Sequence, residues 1–329
     1  MNRQKLQEEL IFNFPFTPTI EQNICIRNIS DYIIKFDNKT IFLLKGYAGT
    51  GKTTLISSLI KSLPVIRKRA VLMAPTGRSA KVLSKYSKKS ASTIHKKIYW
   101  ITTNKNGNTF IKLKENTHSN TIFIVDEASM IPENYDKGFG NRSLLDDLIK
   151  YVYEGIDCKL ILIGDTAQLP PVHLDVSPAL DERKLEMNYN KKIICNELTK
   201  VVRQKEGSFI LKNATYIREK IIKNDYTFPK LIINNEVIQI NTGEELQELL
   251  EATYNKEGIN NTTIICRSNK RANLYNQQIR IKIKWQENEI STGDLLMVVR
   301  NNYYWLDEKC KAGFIANGDV IEVVKIKEK

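Results

Sequence analysis

Eight residues, Gly46-Tyr-Ala-Gly-Thr-Gly-Lys-Thr53, fit the spacing G-x-x-x-x-G-K-[ST]. That spacing lets backbone N–H groups curl around phosphate oxygens, while the lysine reaches the outer phosphates and the hydroxyl ligates Mg²⁺. Gly46, Gly49, Thr50, Gly51, Lys52, Thr53 and Thr54 are therefore candidate phosphate-binding residues, with Lys52 also catalytic and Thr53 a metal ligand. A second set, Ile122-Phe-Ile-Val-Asp-Glu-Ala-Ser129, ends an apolar run in two carboxylates. Asp126 there is placed to hold Mg²⁺ through water, and Glu127 to orient an attacking water. A third run, Leu160-Ile-Leu-Ile-Gly-Asp-Thr-Ala-Gln-Leu-Pro-Pro-Val172, breaks into a turn with a single amide, Gln168. The first two sets together imply hydrolysis of a nucleoside triphosphate.

Such groups need a scaffold that brings distant strand ends together. Short apolar runs predict strands at 41–45, 70–74, 121–125 and 159–163. Helical patterns fall between or after them, at 52–62, 78–86 and 142–153, and a leading helix spans 20–34. Runs rich in Ile, Leu and Val, each separated by a crossover, imply a parallel sheet covered on both faces. Ligands of such sheets bind beyond the carboxyl ends of the strands. Asn106-Gly107 between two β-prone runs is a hairpin signal, so 97–118 reads as a small insertion. The second half predicts strands at 231–240, 262–266, 295–299 and 320–326, with helices at 209–223, 244–254 and 270–284. The expected domains are 1–185 and 186–329.

Lysine and arginine total 50 against 37 acidic residues, a net charge of +13 that favours a polyanionic partner. The five cysteines lie far apart without a C-x-x-C, which argues against a zinc site or a disulfide framework. The start lacks the apolar region of a secretory signal, and no run has the ~18 apolar residues of a membrane span. A cytoplasmic protein with no membrane association is the expectation.

The motifs occur in a definite order: Phe16-Thr-Pro-Thr-Ile-Glu-Gln22, the glycine loop, Ala74-Pro-Thr-Gly77, Ser92-Thr-Ile-His95, Val125-Asp-Glu-Ala-Ser-Met130, Gly164 to Val172, and Leu198-Thr-Lys-Val-Val-Arg-Gln204. That ordered set, covering nearly the whole chain, resembles the RecD/Dda-like branch of superfamily 1B DNA helicases, the 5′-to-3′ group. The resemblance implies an α/β P-loop NTPase fold. A RecA-like parallel-sheet domain with a β-hairpin insertion would be followed by a second RecA-like domain. It implies ATP with Mg²⁺ as cofactors, single-stranded DNA and its junctions with duplex as partners, and a monomer.

Residue roles follow from the same resemblance. Gln22 is similar to the glutamine that reads the adenine edge, although Thr19-x-x-Gln22 is also a capping box and both roles can hold together. Gln168 is similar to the γ-phosphate sensor, and Arg203 to an arginine finger supplied in cis. Pro75, Thr76, Thr93 and His95, with Ser268, Asn269 and Lys270 in the second half, resemble DNA-contacting positions. The insertion resembles a pin that splits duplex; Tyr99, Trp100 and Phe110 would face an unpaired base or hold the hairpin to the sheet. The family's later motifs V and VI are not found, so the chain is expected to be an N-terminal portion of a helicase. Two further readings stand beside this one. One is a nucleic-acid-stimulated ATPase that moves without unwinding; the other is a binding module with a vestigial ATP site.

Overall fold

The computed structural model describes residues 2–103, 109–132, 143–171, 174, 176–202, 207–299, 315 and 317–327, with side chains at 101–103, 109–111 and 260 excepted. Its contacts divide the chain into one unit of residues 1–205 with 298–319 and another of 206–297 with 320–329.

In the first unit, six parallel strands form a sheet in the order β3-β2-β6-β7-β1-β8. They are β1 (Thr40–Gly46), β2 (Arg69–Ala74), β3 (Ala91–Thr93), β6 (Thr121–Val125), β7 (Lys159–Gly164) and β8 (Lys192–Leu198). Alternation along each strand divides the core into two layers. Phe42, Leu44, Ile122, Ile124, Ile161 and Ile163 pack against α1 (Asn2–Phe12), α2 (Ile20–Ile34) and α3 (Lys52–Ser62). Ile41, Leu43, Phe123, Val125, Leu160 and Leu162 face α5 (Ile94–Ile98), α6 (Leu144–Glu154) and α7 (Glu182–Tyr189). Burial on both faces is why these strands read as unbroken apolar runs. The remaining helix of this unit is α4 (Gly77–Ser87), and β4 (Tyr99–Thr103) pairs antiparallel with β5 (Thr109–Leu113). The Asn106-Gly107 turn expected between them lies outside the described residues.

All four strands expected in the first half form, to within a residue or so. The expected boundary at 185 falls short of β8, which pairs with β1 from Thr40↔Lys192 to Gly46↔Leu198. β8 is an edge strand, half-buried along most of its length. Its mixed sequence, Lys-Ile-Ile-Cys-Asn-Glu-Leu, therefore lacks the apolar signature of the central strands.

The second unit contains α8 (Phe209–Ile222), α9 (Gly243–Glu257) and α10 (Asn269–Lys282) where helices are expected. The expected second parallel sheet does not form among the described residues. β9 (Leu295–Met297) and β10 (Val320–Glu322) pair antiparallel, and 231–240 contributes an isolated bridge, Asn234↔Val237. β-Branched runs favour extended backbone, but a strand exists where a neighbour completes its ladder. No apolar side chain of this unit is buried among the described residues.

Candidate functional site

Because the six strands are parallel, the glycine loop, Asp126-Glu127 and the turn after β7 all emerge at one edge of the sheet. Between them lies a cleft of about 750 Å³, lined by Gln22, the glycine loop at Tyr47 to Gly49 and Gly51 to Thr54, Asp126, Glu127, Gly164, Gln168 and Val202. α3 starts at Lys52, so the unpaired N–H groups and positive dipole end of an 11-residue helix point into an anion site. Lys52 Nζ donates to the carbonyl oxygens of Gly46 and, at 2.9 Å, of Tyr47.

Gly51 is required twice over. Its φ of +92° is left-handed, and a Cβ there would stand 2.5 Å from Gln22 Nε2. Gly51→Ala is expected to weaken ATP binding at least about tenfold, from backbone strain plus displacement of Gln22. Titration with a fluorescent ATP analogue measures it.

Gln22 is 3% exposed and its amide serves two neighbours. Its Oε1 accepts from Thr19 N–H at 2.9 Å, completing the capping box, and its Nε2 donates to Thr50 O at 3.0 Å. The capping role is thus realised, and the same side chain fixes the glycine loop to α2. One amide hydrogen and a lone pair are left for a base edge.

At the end of β6, Asp126 Oδ1 accepts its neighbour's backbone N–H, from Glu127, at 2.9 Å. Its Oδ2 accepts from Tyr86 Oη at 2.7 Å. Each oxygen keeps a free lone pair, as a hard, oxygen-seeking cation requires. Among the described residues there is no cluster of three or more His, Cys, Asp or Glu to cage a metal. A hydroxyl and one carboxylate fit Mg²⁺, which takes few protein ligands and completes its shell with phosphate and water.

Glu127 sits at φ 54°, ψ 38°, a left-handed conformation that costs a non-glycine residue about 1–2 kcal/mol. The turn aims its carboxylate into the cleft beside Lys52. Burial, then the charges of Asp126 and Asp165, push its carboxyl above the ordinary range, against the pull of Lys52 and a hydrogen bond from Gln168. The Gln168 amide links two positions of the preceding motif, because its Oε1 also accepts from Ser129 Oγ at 3.3 Å. Buried Asp165 shapes the turn by accepting Ala167 N–H at 2.9 Å. Gly164 is needed for space, since a Cβ would meet Leu180 side-chain carbons at 2.7 Å.

The segment after β8 is bound to the same site. Val202 N–H donates to Gly49 O at 2.9 Å. The Glu21 carboxylate accepts from Thr199 N–H at 2.8 Å and Lys200 N–H at 3.1 Å. Arg203, the next residue, lies outside the described residues.

The expected DNA-contacting residues divide. Pro75 and Thr76 follow β2 at the same sheet edge, where Thr76 caps α4 by accepting Ser79 N–H at 3.2 Å. Thr93 is fully buried and caps α5 through Lys96 N–H, so its side chain has no surface to offer a phosphate. His95 stacks obliquely on Tyr99, with ring centroids 5.8 Å apart. In the second unit Ser268, Asn269 and Lys270 are exposed, and Ser268 caps α10. Tyr99 is 5% exposed and packs, whereas Trp100 is 63% exposed; the side chain of Phe110 lies outside the described residues. Tyr86, Ser129 and Glu21 carried no signal in isolation, and their roles depend on contacts across 39 to 178 positions of sequence.

A family model described as an AAA domain (AAA_19) matches residues 31–174. The chain is 25% identical over 293 residues to the ATP-dependent DNA helicase dda of Enterobacteria phage T4, covering 86% of this chain and 62% of that protein. It is 30% identical over 132 residues to the ATP-dependent RecD2 DNA helicase of Deinococcus radiodurans, covering 40% of this chain and 16% of that one. Among solved structures, Bacteroides sp Pif1 in complex with ADP-AlF4 aligns with a TM-score of 0.46 and 19% identity, over 95% of this chain and 71% of that one. The chain spans 62% and 64% of the length of two curated relatives that it matches over most of its own length. No helix among the described residues is long and apolar enough to cross a membrane.

Proposed function

We propose that this chain is a P-loop NTPase of the RecD/Dda-like superfamily 1B group, and that it hydrolyses ATP and couples the hydrolysis to 5′-to-3′ movement along single-stranded DNA. The observation that carries the reading is the convergence of Lys52, Asp126, Glu127 and Gln168 on one cleft at the carboxyl edge of the sheet. The relatives dda and RecD2 are themselves ATP-dependent DNA helicases.

In this reading the N–H groups of the glycine loop and the start of α3 hold the phosphates, and Lys52 donates to the β/γ oxygens. Thr53 and Asp126 would hold Mg²⁺, which supplies charge neutralisation on the phosphates. Glu127 orients the attacking water and takes its proton, a role that suits a carboxylate whose affinity for protons is raised. Gln168, bonded to Glu127 and Ser129, is proposed to respond to loss of the γ-phosphate and pass the change into the turn ending at Pro170-Pro171. Arg203 is proposed to add positive charge at the γ-phosphate in the transition state. Pro75, Thr76 and His95, with Ser268, Asn269 and Lys270, are proposed to hold the DNA backbone. Such contacts fix register without reading sequence, as a motor moving over any sequence requires.

The raised Glu127 carboxyl has a kinetic consequence. A base works deprotonated, so turnover falls as pH drops through its pKa. The acid limb of kcat/KM against pH is therefore expected above the ordinary carboxylate range, and Glu127→Gln abolishes that limb.

Strand displacement on 5′-tailed and 3′-tailed duplexes tests direction and coupling together. Unwinding of the 5′-tailed duplex alone is the expected result, and a 3′-tail preference would reverse the polarity. ATP hydrolysis stimulated by DNA, without displacement of either duplex, would favour a translocating ATPase.

A further inference from the structure

Thr53 and Asp126 reach the nucleotide cleft from strands that are not neighbours. Thr53 follows β1 on α3, Asp126 follows β6, and β7 lies between the two strands. A third element, α4, links them through Tyr86 in its last turn. The Tyr86 ring packs against the core layer that contains Leu55 and Leu59 of α3. Its carbonyl oxygen accepts from Ser57 Oγ of the same helix at 3.4 Å. Its hydroxyl, donated to Asp126 Oδ2 at 2.7 Å, carries that anchorage across to the carboxylate.

The backbone of Asp126 is fixed separately, its N–H donating to Met73 O of β2 at 3.0 Å. The side chain needs its own restraint, because χ2 of an aspartate is a broad, two-fold torsion. The plane of the carboxylate is therefore set by its partners. Glu127 N–H on Oδ1, at 2.9 Å, leaves that plane free to turn about a single contact. The second donor, on Oδ2, stops the turn and fixes the direction of the remaining lone pairs. A phenol is protonated at neutral pH and so donates, and a charged acceptor makes the bond stronger than one between neutral groups. Mg²⁺ demands near-octahedral geometry and takes few protein ligands, so a carboxylate that turns loses much of its hold. Tyr86 does not line the cleft, and its influence on a bound metal passes through Asp126.

We propose that Tyr86 is a positioning residue that holds the Asp126 carboxylate in the orientation Mg²⁺ requires and ties it to the helix that carries Thr53. It rests on the reading of Asp126 as a metal-holding group and adds a residue from outside the cleft.

Binding of a fluorescent ATP analogue that is not hydrolysed, titrated over a series of Mg²⁺ concentrations, tests the proposal without reference to turnover. Tyr86→Phe keeps the packed ring and removes only the hydroxyl. It is expected to raise the Mg²⁺ concentration for half-maximal tightening about tenfold or more, the usual cost of losing a hydrogen bond behind a metal ligand. Affinity in the absence of Mg²⁺ stays at the unmodified value. In an Asp126→Asn background the same substitution is expected to add less than about twofold, because two groups that act as one unit are not additive. If Tyr86→Phe keeps the unmodified Mg²⁺ dependence, or loses affinity equally with and without Mg²⁺, the hydroxyl does not position the carboxylate and the reading of the cleft stands. A full additional effect in Asp126→Asn would also overturn the proposal, by showing that Tyr86 acts elsewhere. If the unmodified chain binds the analogue equally well with and without Mg²⁺, the metal-holding reading of Asp126 falls together with the proposal.

Discussion

Lys52→Ala lowers ATP turnover by about 10²–10³-fold or more, the cost of removing one preorganised donor from a site of developing negative charge. Lys52 is the cation of the glycine loop itself, and its amine is already fixed at the loop by the carbonyls of Gly46 and Tyr47. The effect is expected in ATP affinity as well as in kcat, because the amine meets phosphate in both the ground state and the transition state. A further consequence separates this from general damage. Lys52 is among the groups that hold the Glu127 carboxyl down, so its loss moves the acid limb of residual activity to higher pH. Phosphate-release assays at several pH values measure both effects. Full turnover by this variant would remove the glycine loop from the mechanism.

Glu127→Gln is expected to lower turnover by about 10²–10⁴-fold while leaving ATP affinity within a few-fold, the pattern of a lost general base. Glutamine is nearly isosteric, and its side-chain oxygen still accepts from the Gln168 amide. It also removes a half-buried like charge beside Asp126 and Asp165, so the fold should gain slightly in stability while chemistry is lost. Equilibrium ATP binding together with single-turnover hydrolysis distinguishes the two effects. Equal loss in binding and turnover would mean that Glu127 shapes the cleft and does not act as a base.

The parts of the site that were legible in the sequence are those whose chemistry is local. The glycine loop, Asp126-Glu127 and Gly164 to Gln168 each place reactive groups within a few positions of a strand end, and apolar runs such as Ile41 to Leu44 announce the strand. The capping motif at Thr19 and Gln22 was legible for the same reason, since its geometry closes over three residues. What it could not disclose was the second hydrogen bond from Gln22, to Thr50, which ties the helix to the glycine loop.

Contacts that close over long distances left no local trace. Tyr86 reaches Asp126 across 40 positions, and Glu21 reaches Thr199 across 178. Thr93 misled in the opposite direction. Its motif, Ser92-Thr-Ile-His95, resembles a DNA-contacting one, but the residue ends β3 with its hydroxyl spent on a helix cap and fully buried. In the second unit, the runs at 231–240 and 262–266 expressed a preference that no neighbouring strand satisfies among the described residues, whereas 295–297 and 320–322 pair with each other. Helices, whose hydrogen bonds close within four residues, appeared there as expected.

The most direct test of the central claim is the rate of phosphate release from ATP and Mg²⁺, measured for this chain with and without single-stranded DNA. The account predicts hydrolysis that rises when DNA is added, needs Mg²⁺ and disappears in Glu127→Gln. ATP affinity unchanged by Lys52→Ala, together with no phosphate release in the presence of DNA, would contradict it.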